Sequence, residues 1–143
     1  GGLPLGLAAD IVMMATESRY GATFMNLGFT PGMGTTRLLP EAVGEHLAAE
    51  MMFGGQTFRG TRFANCPGIN YVLPREDLVR RAFDLAIRIA EKPRGSLVML
   101  KRALVARRRR ALESAREIET EMHGRCFAEP GAAARIEAAF LDS

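Results

Sequence analysis

The tightest constraint on this chain is how little of it can be strand. Ile11-Val12-Met13-Met14-Ala15 is a short apolar run bounded by polar residues, the pattern of a strand buried on both faces. Tyr20 to Ala22 can form a second short strand. Ile69-Asn70-Tyr71-Val72-Leu73 alternates and is stopped by Pro74, so it reads as a third. So few short strands cannot close a core unaided. The expectation is a chain that begins inside a larger fold, with a preceding half that supplies most of the sheet. Its 143 residues are one domain's worth of core.

The remainder is loop and helix. Thr30-Pro31-Gly32-Met33-Gly34 is loop chemistry, with Pro and Gly as breakers. Thr35 or Thr36 then caps a helix running through Leu38 and Leu39 towards Val43. Gly44 breaks it, and a second helix over Glu45 to Phe53 ends at Gly54-Gly55. Gln56 to Asn65 is mixed, and Pro67-Gly68 is a turn. After Pro74, residues Val79, Ala82, Phe83, Ala86, Ile87 and Ala90 share one face of a helix. Lys92-Pro93-Arg94-Gly95 ends that helix, and Ser96 caps the next, with Leu97, Leu100 and Leu104. Leu112, Ala115, Ile118 and Met122 mark a third. Pro130-Gly131 separates it from a last short helix with Ile136 and Phe140. Two parts are expected: residues 1–74, mixed α/β, and residues 75–143, helical.

Composition is that of an ordinary globular protein, 48% hydrophobic and 24% charged, and no apolar run is long enough to span a bilayer. Cys66 and Cys126 fit no metal or redox spacing, and buried thiols in a reducing cytoplasm are expected. The net charge of +3 is concentrated in Lys101, Arg102 and Arg107 to Arg110. No nucleic-acid motif and no interleaved aromatics accompany these arginines, so nucleic acid is a poor partner. Gly1-Gly2 precedes a short helix. Unpaired N–H groups at such an N-terminus favour negative charge.

The stretches Gly1-Gly2-Leu3-Pro4-Leu5-Gly6-Leu7-Ala8-Ala9-Asp10-Ile11 and Tyr20-Gly21-Ala22-Thr23-Phe24-Met25-Asn26-Leu27-Gly28-Phe29-Thr30-Pro31-Gly32-Met33-Gly34 resemble the acyl-thioester site of the crotonase (enoyl-CoA hydratase/isomerase) superfamily. The resemblance covers nearly the whole chain, through Asn65-Cys66-Pro67-Gly68-Ile69, Val72-Leu73-Pro74 and Lys101. It implies an α/β fold, a spiral of ββα turns with a helical C-terminal region used in trimer packing. Residues 1–74 would be the second half of the core and 75–143 the trimerisation region. It also implies that the Gly1 N–H is one of two oxyanion-hole donors. Gly2, Leu3, Pro4, Phe24, Met25, Phe29, Pro31, Gly32, Met33 and Gly34 would line the acyl pocket.

Hydratases of this family use two glutamates to activate and protonate water, and the matching positions here are Pro4 and Phe24. Neither transfers protons. The variant Gly28-Phe29-Thr30-Pro31-Gly32-Met33-Gly34 resembles the decarboxylating homologues of polyketide β-branching cassettes, which act on acyl groups held by an acyl carrier protein. In that subgroup a Met-His pair in the C-terminal helices, with Phe and Pro shortly after, carries the catalytic histidine. Met122-His123, Phe127 and Pro130 match it, whereas His46 has no such support and is expected at the surface. The expected lysine of that subgroup belongs to the preceding half. The basic segment is either a solvated helix face or a landing site for an acidic carrier or a CoA phosphate, with Lys101 and Arg102 as contacts.

The implied reaction is decarboxylation of a 3-methylglutaconyl-type thioester on a carrier protein, with no metal or redox cofactor, since the thioester is the electron sink. Two rivals stay open. One is a CoA-dependent hydratase or isomerase, which needs a pocket carboxylate. The other is a non-catalytic crotonase half that only assembles with a partner.

Overall fold

The computed structural model describes residues 1–141. Helix α1 (Gly2–Leu7) starts directly after Gly1. Pro4 lies in its first turn, where a missing N–H costs no helix hydrogen bond. Strand β1 (Met13–Ala15) pairs in parallel with β4 (Tyr71–Leu73), Met14 opposite Val72. Strand β2 (Arg19–Gly21) pairs antiparallel with β3 (Thr57–Arg59), a strand inside the stretch that reads as mixed. A 3₁₀ turn (Thr23–Leu27) leads into the 28–34 loop. Helices α2 (Thr35–Val43) and α3 (Glu45–Gly54) follow, broken at Gly44 (φ 89°).

The core lies between α2, α3 and the strands. Met14, Leu39, Ala48, Met51 and Phe63 are almost wholly excluded from solvent. Tyr20 packs edge-on against Phe63, and its hydroxyl oxygen accepts from the Ala15 N–H at 2.8 Å. Side-chain burial thus ties β2 to β1 although the two strands belong to different sheets.

Two expectations are corrected. The helix expected to start at Ser96 and the helix of Leu112 to Met122 are one element, α5 (Arg94–Ala128), 35 residues long. No proline or run of breakers separates Ser96 from Met122, so nothing ends the first before the second begins. The helix expected from Val79 to Ala90 is α4 (Arg75–Ala90); Val79, Ala82 and Ala86 join Leu78 and Leu85 in an apolar groove with Ile11 and Met13, and Phe83 and Ile87 are exposed. Helical spacing finds an apolar sector but not which flank of it is covered. Cys66 and Cys126 are half-buried thiols rather than buried ones. The last helix, α6 (Ala132–Leu141), packs on the 3₁₀ turn. The side chain of Phe140 lies outside the described residues.

Candidate active site

The N-terminus of α1 borders a cavity of about 470 Å³ lined by Gly1, Gly2, Leu3, Met14, Arg19 and Tyr20 among others. The first N–H groups of a helix have no partner within it, and no side chain caps this end. Among the described residues, no aspartate or glutamate lines the cavity.

The second part of the site is built by α5 against the 28–34 loop. His123 Nε2 lies 2.8 Å from the Thr30 carbonyl oxygen. A carbonyl can only accept, so the imidazole donates from Nε2 and leaves Nδ1 as its other polar atom. The ring is flanked by Phe29 (5.9 Å between centroids) and Phe127 (5.4 Å), and Phe29 in turn meets Phe24 edge-on at 6.0 Å. His123 is half-buried. Gly32 passes so close that a Cβ there would sit 2.6 Å from His123 Cε1.

The loop joins the two parts. Met33 has φ 61°, an uncommon left-handed conformation for a side-chain-bearing residue, and is exposed. Its thioether sulfur lies 3.6 Å from where a Cβ of Gly1 would be. Gly1, Met33, Gly32 and His123 therefore form one chain of contacts. Pro4 is buried beneath α1, and Pro31, Gly32 and Gly34 are buried in the loop. Leu3, Phe24 and Phe29 are half-buried, and Met25 is exposed.

Lys101 and Arg102 diverge. Lys101 pairs with Asp10, just past α1, and Arg108 reaches the Ala8 and Ala9 carbonyls and Asp10. These two residues of the basic segment hold α5 to the C-terminal end of α1. Arg102 shares a separate exposed cleft with Arg109 and Arg110. His46 is exposed on α3.

Sequence reasoning missed Glu119. It is 4% exposed, and its carboxylate takes the place assigned to Thr35 or Thr36 as the cap of α2. Gly34 N–H donates to Oε2 at 2.7 Å. Thr36 N–H and Thr36 Oγ1 donate to Oε1 at 2.9 and 2.7 Å. Thr35 instead donates its hydroxyl to the Gly32 carbonyl at 2.5 Å. A glutamate on a charged helix carries no local signal of this partner 83 residues away.

The enoyl-CoA hydratase/isomerase family model matches residues 1–138. The chain belongs to this family. It is 43% identical over 138 residues to the bacillaene synthase decarboxylase PksI of Bacillus subtilis, covering 96% of this chain and 55% of that protein. It superposes on the decarboxylase domain of CurF from Lyngbya majuscula with a TM-score of 0.86 and 41% identity, covering 96% of this chain and 57% of that one. A short-chain-enoyl-CoA hydratase of Clostridium acetobutylicum is 26% identical over 127 residues, 89% of this chain and 49% of that protein. The fold is thus crotonase-type, and the chain spans about half the length of these curated relatives.

Proposed function

We propose that this chain carries the second half of the active site of a crotonase-type decarboxylase, a carbon–carbon lyase of polyketide β-branching. The substrate is a 3-methylglutaconyl-type thioester on an acyl carrier protein, and the product a 3-methylcrotonyl-type thioester. The observation that carries this reading is that, among the described residues, no available carboxylate lines the site. The cavity beside Gly1 is lined by none, and Pro4 and Phe24 stand where hydration needs acid and base. Glu119, the one buried carboxylate among the described residues, is occupied by three donors. The 43% identity to a decarboxylase supports the same reading.

Decarboxylation needs less than hydration. The bond to the distal carboxylate breaks, CO2 leaves, and the electron pair spreads through a dienolate onto the thioester oxygen. The Gly1 N–H, with a second donor from the rest of the protein, stabilises that oxygen. A proton then returns to carbon. Nδ1 of His123 takes that proton from solvent and passes it to carbon, its Nε2–H staying committed to Thr30. The lysine that the resemblance implies steers the departing carboxylate. The protein works as a cytoplasmic homotrimer.

The test is product analysis by mass with carrier-bound 3-methylglutaconyl and crotonyl thioesters. The expected result is loss of CO2 from the first and no water added to the second. His123→Ala should slow turnover about 10²- to 10⁴-fold. A hydrated product without loss of CO2 would overturn the proposal.

A further inference from the structure

Glu119 and His123 lie four residues apart on α5, one turn along the same face. Both reach the same seven-residue stretch of loop. His123 donates to the Thr30 carbonyl at its start, and Glu119 accepts from Gly34 and Thr36 at its end. Between these two rungs the Gly32 backbone presses against the imidazole. The loop is also closed on itself, because Thr35 donates both its N–H and its hydroxyl to the Gly32 carbonyl. The loop that walls the imidazole is therefore pinned to the helix that carries it.

We propose that Glu119 is a positioning residue for His123: its carboxylate sets the height and rotation of α5 against the 30–36 loop, and so fixes the imidazole tautomer. This rests on His123 being the proton-handling group. A buried carboxylate suits the task because both oxygens are saturated by donors from one helix N-terminus, which also favours the negative charge. An amide cannot replace it. Its oxygen could serve Thr36 or Gly34, but its NH2 would face an N–H donor at the other position.

His123 is the half-buried histidine of this chain and His46 the exposed one, and the ¹⁵N signal lost in His123→Ala identifies the His123 imidazole in the spectrum. This readout needs no substrate and survives any error in the assigned reaction. The expected wild-type result is a His123 imidazole locked as Nε2–H and a His46 imidazole averaging its tautomers. In Glu119→Gln the locked ring should begin to average. kcat should fall about 10- to 100-fold, the scale of an ångström of misplacement, with KM changed less than about twofold. In a His123→Ala background the same substitution should leave kcat nearly unchanged, because the group it positions is gone. Thr36→Val removes one of the three donors and leaves the backbone cap, so it should give a smaller change of the same kind. It carries the test should Glu119→Gln fail to fold. A ring that stays locked in the variants, or equal kcat losses with and without His123, would overturn the proposal.

Discussion

Replacing Gly32 by alanine adds one methyl group aimed at a single ring. That carbon would lie 2.6 Å from His123 Cε1 and 3.2 Å from Nε2. Carbon atoms prefer about 3.5–4.0 Å, so the ring must retreat by about 1 Å. It has little room, since Thr30 holds Nε2 and Phe29 and Phe127 flank the faces. Overpacking of this kind costs about 1–3 kcal/mol. Gly32 is not in the left-handed region, so alanine also stiffens the unfolded chain and returns about 0.4–1 kcal/mol. The steric term wins, and the net loss should be about 1–2 kcal/mol, a drop of several degrees in Tm. If His123 carries the proton as proposed, a 1 Å displacement of its ring should also lower kcat about 10²-fold. Thermal unfolding of the single and double variants isolates the cause. With His123→Ala already in place, Gly32→Ala should cost nothing or stabilise slightly. Gly34→Ala is the control: its φ of 76° and its contact with Leu112 make it destabilising with or without His123. If Gly32→Ala destabilises equally in both backgrounds, the clash is not with the imidazole and the description of the site is wrong.

Charge reversal at Arg109, which makes no ion pair among those described, should raise KM for a carrier-bound substrate, leave kcat nearly alone and lose its effect in high salt. Arg108 is a poorer probe, because it also ties α5 to α1. Glu17 accepts from the Arg75 N–H at the start of α4, at 3.1 Å. Its own backbone N–H first, then Thr16 and Arg75, hold its carboxyl below the ordinary value. A lowered native pKa means that the stabilisation is present above the unfolded carboxylate range and is lost as pH falls through the folded value. Glu17→Gln should therefore lower Tm at neutral pH, and the difference from wild type should vanish in acid.

Much of this site is legible because its signals are local. Pro31, Gly32 and Gly34 announce a loop wherever they occur, and Gly44 announces the break between α2 and α3. Pro4 and Phe24 stand out through the resemblance, which implies that hydratases carry glutamates at these two positions. What escapes is what the chain does at a distance. Glu119 looks like any charge on a helix until Gly34 and Thr36 are brought to it. Lys101 looks like a ligand contact until Asp10 is found beside it. Likewise the apolar residues of α4 give the helix away but not its rotation, since that depends on Ile11 and Met13. The two-helix reading of 96–122 errs for the opposite reason: leucine spacing drifts along an amphipathic helix, and such drift mimics a boundary.

The sequence separations of these contacts also order the assembly of the molecule in time. Helices α2 and α3 meet across a single residue, Gly44, and need almost no loop closure. The parallel pairing of β1 with β4 must close about 58 residues, as Val12 and Asn70 show. The contacts that dock α5, from Glu119 to Gly34, His123 to Thr30 and Arg108 to Ala8, span 85, 93 and 100 residues. Contacts of that separation reward the chain last. Emerging from the ribosome, the chain can bury Leu39 and Met51 while the His123–Thr30 contact is still unmade, so the candidate site is the last part of this chain that folding completes.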